Sequence, residues 1–166
     1  MIATDEFGPL QIRPQLGSNW CKKGKPNRFP ATYTKKEGVR HLLAALDLRS
    51  DKMYGHTKKR KRAIEFLQFL KYIGSLYPIK ERLYIILDNF SPHKTEKVLT
   101  WAEENNVELV PTPTNASWLN PIECHFGPLK KFAILNSNYK SHKEQARAIR
   151  RYIAWRNREA KKDELR

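Results

Sequence analysis

Acidic residues at three places in this 166-residue chain have the types and spacing of a metal site. Asp88 ends the apolar run Leu83–Leu87 and is followed by Asn89. Glu123 closes Trp118-Leu119-Asn120-Pro121-Ile122-Glu123, with 34 residues between it and Asp88. Asp5 opens the chain, in Thr4-Asp5-Glu6-Phe7-Gly8-Pro9-Leu10. Widely spaced carboxylates that meet in a fold suit two-metal phosphoryl transfer. Two divalent ions roughly 3.5–4 Å apart need anionic oxygens to hold them beside a phosphodiester. Magnesium prefers such hard ligands and keeps some of its waters.

Spacing alone leaves choices open at each acid. Asp5 and Glu6 point to opposite faces of a strand, so one of them joins a shared site, and residue order does not select which. Glu123 stands where a capping-box glutamate would return to the Asn120 amide, and capping alone would explain its position. Both roles suit a helix N-terminus, which favours negative charge. Asp88 follows a fully apolar strand and so belongs at the carboxyl end of a central strand, where open α/β sheets bind ligands. An aspartate there also commonly caps a turn. A lone histidine such as His93 is commonly structural. The adjacent Cys124-His125 has no second pair and fits no zinc spacing.

The elements that must position these residues follow from pattern. Residues 1–6 and 9–14 read as two short strands separated by Gly8-Pro9. Residues 17–30 read as loop. Residues 38–48 read as a strand, with a helix as the alternative because the apolar run does not alternate, and 51–56 as its hairpin partner. Ala63, Phe66, Leu67, Leu70 and Ile73 recur at helical steps across 60–76, and Tyr77-Pro78 stops that helix. Leu83–Leu87 is continuously apolar, as for a strand covered on both faces. A helix is predicted from Ser91-Pro92 to Asn105-Asn106, then a strand at 107–110 and a loop over 111–118. Asn120-Pro121 reads as an N-cap with proline at the first helical position, and Gly127-Pro128 should kink or break that helix. The last helix begins near Ser141, with a capping box to Glu144, and runs to about Glu159 or beyond. Strands alternating with helices predict parallel pairing and α/β layering.

Bulk properties narrow the partner. A chain of this length with 40% apolar residues predicts one domain, 1–166, with an ordinary core. Thirty-two Lys and Arg against 17 Asp and Glu leave a net charge of +15, which calls for a polyanion, nucleic acid before an anionic membrane. The run Lys58-Lys59-Arg60-Lys61-Arg62 precedes a helix, where the macrodipole disfavours cations, so a bound phosphate would relieve the conflict. In the last helix Lys143, Arg147, Arg150, Arg151, Arg158 and Lys161 can share one side, opposite Ala146, Ile149 and Ile153. No apolar run reaches 18 residues, so no membrane span is expected. No secretory signal is visible. The two cysteines, Cys21 and Cys124, make no disulfide framework and read as a reducing cytosol.

Asp5-Glu6-Phe7-Gly8-Pro9, Asp88-Asn89-(x)3-His93 and Leu119-Asn120-Pro121-Ile122-Glu123 together resemble the catalytic domain of bacterial insertion-sequence transposases related to the Tc/mariner superfamily. The tail from Arg150 to Arg158 is similar to the end of that domain. The resemblance implies an α/β fold of ribonuclease H type, with a mixed central sheet flanked by helices. It selects Asp5 over Glu6 and implies that Asp5, Asp88 and Glu123 form an Asp-Asp-Glu triad holding two Mg2+ or Mn2+ ions. It implies phosphodiester hydrolysis and strand transfer on DNA, with His93 and Asn89 positioning substrate. DNA contacts are expected from Lys58, Lys59, Arg60, Lys61, Arg62, Arg147, Arg150 and Arg151. The implied partners are transposon ends and target DNA, a second copy of the chain on DNA, and a separate N-terminal DNA-binding polypeptide, since only four residues precede Asp5. The implied location is the bacterial cytoplasm, at the nucleoid. The alternatives are a non-catalytic DNA-binding remnant of a transposase and a ribonuclease H-like nuclease acting on other nucleic acids.

Overall fold

The computed structural model describes residues 1–18, 20–26, 28–30 and 37–163, with side chains in the last helix as far as Glu159. The elements are β1 (Ile2–Gln11), β2 (Val39–Asp47), β3 (Lys52–Lys58), α1 (Ala63–Gly74), β4 (Leu83–Leu87), α2 (Glu96–Glu104), β5 (Val107–Pro111), α3 (Glu123–Ala133) and α4 (His142–Asp163). Single 3-10 turns lie at Ser91–Lys94 and Ser117–Leu119. The strands form one mixed sheet in the order β3-β2-β1-β4-β5. β1, β2 and β3 pair antiparallel, and β1, β4 and β5 pair parallel. The chain winds one way from β1 to β3 and the other way from β4 to β5. The β1/β4 seam is therefore where the strand order reverses, the usual place for a ligand in an open sheet.

That seam is short. β1 and β4 pair only at Ile2↔Ile85 and Ala3↔Ile86. Beyond it the Thr4 hydroxyl still donates to Ile86 O at 3.1 Å, but the Thr4 carbonyl accepts from the Asn120 side chain at 2.8 Å. Asp5 follows at once, at the point where the strands part.

Alternation along the strands divides the core into two layers. Ile2, Leu43, Ala45, Ile85 and Leu87 pack against Phe66, Phe69, Leu70 and Ile73 of α1 and Val98 and Ala102 of α2. Ala3, Leu42, Ala44, Leu46 and Met53 pack against Leu129 and Ala133 of α3 and Ile149 and Ile153 of α4. α4 lies close on β3 at Gly55, where a Cβ would stand 2.9 Å from both Ile153 Cδ1 and Leu42 Cδ1. The Asn157 amide extends the sheet edge: it accepts from Met53 N and donates to Met53 O, both at 2.8 Å. Among the described residues no helix is long and apolar enough to cross a membrane, and both cysteines are free and exposed.

Several local expectations change. The two predicted N-terminal strands are one, because a bulge between Phe7 and Leu10 absorbs Gly8-Pro9. Residues 39–47 keep the predicted strand, since the hairpin with β3 takes their backbone groups. The helix expected from Ser91 is interrupted: Thr95 is extended (φ −76°, ψ 144°), separating the 3-10 turn from α2. The second face of β4 is only partly covered, with Tyr84 38% exposed. α3 begins at Glu123 rather than at Pro121, because the Asn120 side chain is drawn away to β1 instead of capping the helix. Pro128 lies inside α3 without ending it. Gly127 there faces open space, and burial of Ile122, Leu129 and Ala133 offsets the missing backbone bond.

Candidate active site

Asp5 and Phe7 project from the α3 side of β1, and Phe7 stacks on Phe126 with ring centroids 5.1 Å apart. Glu123 is one helical turn before Phe126 and shares its face. The aromatic pair and the Asn120-to-Thr4 bond therefore bring the first turn of α3 against β1 beside Asp5. Ile122, fully buried, anchors the same turn. Asp88 arrives from the other side as the first residue beyond β4. Asn89 holds the ends of β4 and β5 together by donating to Thr112 O at 2.5 Å, while Thr112 N donates to Leu87 O at 2.8 Å.

The electrostatics record this convergence. Burial pushes the Asp5 carboxyl up to about 7. Its bond from Glu6 N, 2.6 Å long, opposes the rise, and the charges of Asp88, Glu6 and Glu123 add to it. Asp5 on β1 thus feels the charges of Asp88, beyond the end of β4, and of Glu123, at the start of α3. Among the described residues no group of three or more His, Cys, Asp or Glu closes tightly enough to hold a metal ion. The donor set nevertheless fits a hard cation. It is all oxygen, its charges repel, and the amide oxygen of Asn120 beside it is buried without a partner.

Glu6 takes the opposite side of β1. His93 Nε2 lies 2.9 Å from Glu6 Oε1, and His93 Nδ1 lies 3.0 Å from Asp88 Oδ1. Burial pulls the imidazole pKa down, but Glu6 and Asp88 more than offset it, and the net shift is upward. Sequence reasoning left Glu6 out of the site. Its signal was period-2 alternation, which sends it to the face opposite Asp5, toward the buried histidine.

The basic residues lie between β3 and α1 and along α4. Lys59, Arg60, Lys61 and Arg62 are exposed between β3 and α1, and the Lys61 ammonium sits 4.3 Å over the Phe90 ring, two residues beyond Asp88. Lys58 is engaged with Gln68 Oε1 at 3.0 Å. Arg62 pairs with Glu65 at 2.7 Å, which places one carboxylate in the first turn of α1 against one cation of the run. The basic residues of α4 face two different grooves. Arg150 and Lys143 line one with Arg40 of β2, and Arg147 and Arg151 line another with Phe132, Tyr152 and Trp155. Arg40 was missed because it lies alone in sequence. The Lys161 side chain lies outside the described residues.

A family model for the DDE superfamily endonuclease matches residues 1–145. The chain belongs to the DDE superfamily endonuclease family. The DDE endonuclease chain is 22% identical over 146 residues to the insertion element IS630 39 kDa protein of Shigella sonnei. That match covers 87% of this chain and 42% of the relative, so the chain spans less than half of the curated relative's length. In structure it is similar to the Mos1 transposase paired-end complex with left transposon end, with a TM-score of 0.69 and 18% identity over 92% of this chain and 47% of that one. It is equally similar to the Mos1 mariner paired-end complex with Mn, with a TM-score of 0.69 and 17% identity over 97% and 51%. These likenesses establish the ribonuclease H-like fold of the DDE endonuclease: a mixed five-stranded sheet flanked by helices.

Proposed function

We propose that this chain is the catalytic domain of a DNA transposase and that Asp5, Asp88 and Glu123 are its metal-binding triad. The observation carrying this reading is the short β1/β4 seam, where Asp5 lies beside the first turn of α3 and the end of β4. Burial, then the charges of Asp88, Glu6 and Glu123, raise the Asp5 carboxyl to about 7 there, against its bond from Glu6 N. The charges of Asp88 and Glu123 add to the rise at Asp5, and a divalent ion bound among the three acids would relieve it. Two Mg2+ or Mn2+ ions bound there supply the Lewis acidity that activates a water or a DNA 3′-hydroxyl and stabilises the leaving oxygen. The chain's own work is alignment. Asp5 is held at the opened β1/β4 seam, Glu123 is set by the Phe7–Phe126 stack, and Asp88 is tied to His93. Lys59, Arg60, Lys61, Arg147, Arg150 and Arg151 hold the DNA backbone around the site by phosphate contacts that carry no sequence information. The substrates are transposon ends and target DNA, reached in the bacterial cytoplasm.

The test is paired. Calorimetric titration with Mn2+ is expected to show binding that Asp88→Ala weakens at least about tenfold, in the range seen when metal-site residues are altered. Nicking of duplex DNA in the same buffer is expected to vanish with it. Equal Mn2+ binding by both proteins sinks the triad. Metal binding with no cleavage of any duplex identifies a non-catalytic DNA-binding remnant.

A further inference from the structure

Glu6 is a carboxylate buried more deeply than its charge favours. Its side chain is 5% exposed, and it faces α1 rather than the site. What it meets there is the imidazole of His93, 1% exposed, at 2.9 Å. The ring is held on every side. Phe66 of α1 lies against it with centroids 4.0 Å apart, and Phe90 meets it edge-on at 5.6 Å. Its other nitrogen lies 3.0 Å from Asp88 Oδ1 and 3.3 Å from the Asp88 carbonyl. Asp88 Oδ1 also accepts from Phe90 N at 3.1 Å. One carboxylate oxygen of Asp88 is therefore engaged twice, while no hydrogen bond to Oδ2 is found among the described residues.

We propose that Glu6 and His93 are positioning residues that lock the Asp88 carboxylate, so that Oδ1 is held by the protein and Oδ2 alone is presented to a divalent cation. The need for such a device follows from where Asp88 sits. It lies one residue beyond the end of β4, so the sheet ladder does not fix its backbone or its side-chain torsions. A free carboxylate would lose rotamer entropy at the moment of ligand binding, and one fixed beforehand does not. The chain of contacts runs from β1, the most central strand, through Glu6 and His93 to Asp88. It registers the Asp88 side chain against the strand that carries Asp5. It also assigns both acids of the Asp5-Glu6 pair to one centre, one on each face of β1. This inference rests on the triad reading above.

The test separates positioning from mere packing. Glu6→Gln keeps an oxygen acceptor for the imidazole, whereas Glu6→Ala leaves the outer nitrogen unheld. Manganese affinity, read by calorimetry, is expected to fall about 10–100-fold in Glu6→Ala and to recover most of that drop in Glu6→Gln. Melting temperatures measured in chelator report the packing contribution separately. If Glu6→Ala does not fold, the double substitution Glu6→Gln/His93→Phe replaces it, because the ring on Phe66 is retained without leaving an unpaired charge. It is expected to show the same 10–100-fold drop. Wild-type manganese affinity in folded Glu6→Ala, or in the double variant, overturns the proposal, as does an equal drop in Glu6→Gln and Glu6→Ala. Asp88→Ala, run alongside, tells the two readings apart. If it weakens or abolishes binding while folded Glu6→Ala keeps wild-type affinity, only the positioning role falls. If it changes nothing, the triad reading falls, and the positioning role with it.

Discussion

On the α1 side of β1, Glu6 is buried 2.9 Å from a histidine and the space around it is filled by Phe66 and Phe90. On the α3 side, one residue earlier, Asp5 has its carboxyl raised to about 7 and faces the charges of Asp88 and Glu123. Both acids are withdrawn from water, which costs several kcal/mol for an uncompensated charge. Glu6 has an imidazole for a partner, whereas Asp5 has one short bond from Glu6 N and side-chain neighbours of its own sign. A buried acid with a built-in side-chain partner holds structure in place, and one set among like charges leaves room for a cation from outside. Folds that are otherwise locally consistent tend to break their own rules at functional sites.

The largest effect separating the two sides is expected from Asp5→Asn. Cleavage of duplex DNA should fall at least about 100-fold, as when a single transition-state-stabilising group is removed. Stability should move the other way. The folded state holds the Asp5 proton up to about pH 7, against 3.8 for an ordinary side chain. The unfolded chain therefore releases that proton first, and the penalty is absent below pH 3.8, grows as pH rises and is complete above about 7. Thermal melts in chelator should show the variant gaining on the wild type across that window. A gap between them that does not change with pH would mean Asp5 is not strained by its neighbours.

A smaller effect is expected where the open side is tied to β1. Asn120→Ala removes the buried bond to the Thr4 carbonyl and should cost about 1–3 kcal/mol in denaturant titration. It should also weaken manganese binding, because the turn bearing Glu123 is no longer tied to the strand bearing Asp5. A cost under about 0.5 kcal/mol would assign the placement of α3 to the Phe7–Phe126 stack alone.

The smallest effect is graded and lies on the rims. Replacing Lys59, Arg60 and Lys61 together should reduce the slope of log affinity against log salt by about 0.9 for each DNA phosphate that is no longer neutralised. Replacing Arg147 and Arg151 should do the same from the α3/α4 side. Fluorescence anisotropy with labelled duplexes of unrelated sequence reads both. A slope untouched by one set removes that rim from the DNA path.

By itself the sequence determined the α/β class, the positions of β4 and β5, the hairpin of β2 and β3 and the apolar faces of α1 and α4. These depend on periodicity and on burial of contiguous residues, which are local properties of the chain. It also offered Asp88, Glu123 and the Asp5-Glu6 pair as candidates, with the choice of Asp5 resting on family resemblance rather than on spacing. Only the tertiary structure decided which acid of the Asp5-Glu6 pair faces which layer, since alternation says that the two diverge but not what waits on either side. The start of α3 was misread for a related reason. Asn120 has good capping chemistry, but its amide nitrogen donates to a strand carbonyl 116 residues away, which turns the side chain toward β1 and leaves its oxygen off the helix N-terminus. The same holds for His93. Its place between Glu6 and Asp88 requires contacts 87 and five residues apart in sequence at once, and only a packed sheet brings them to one ring.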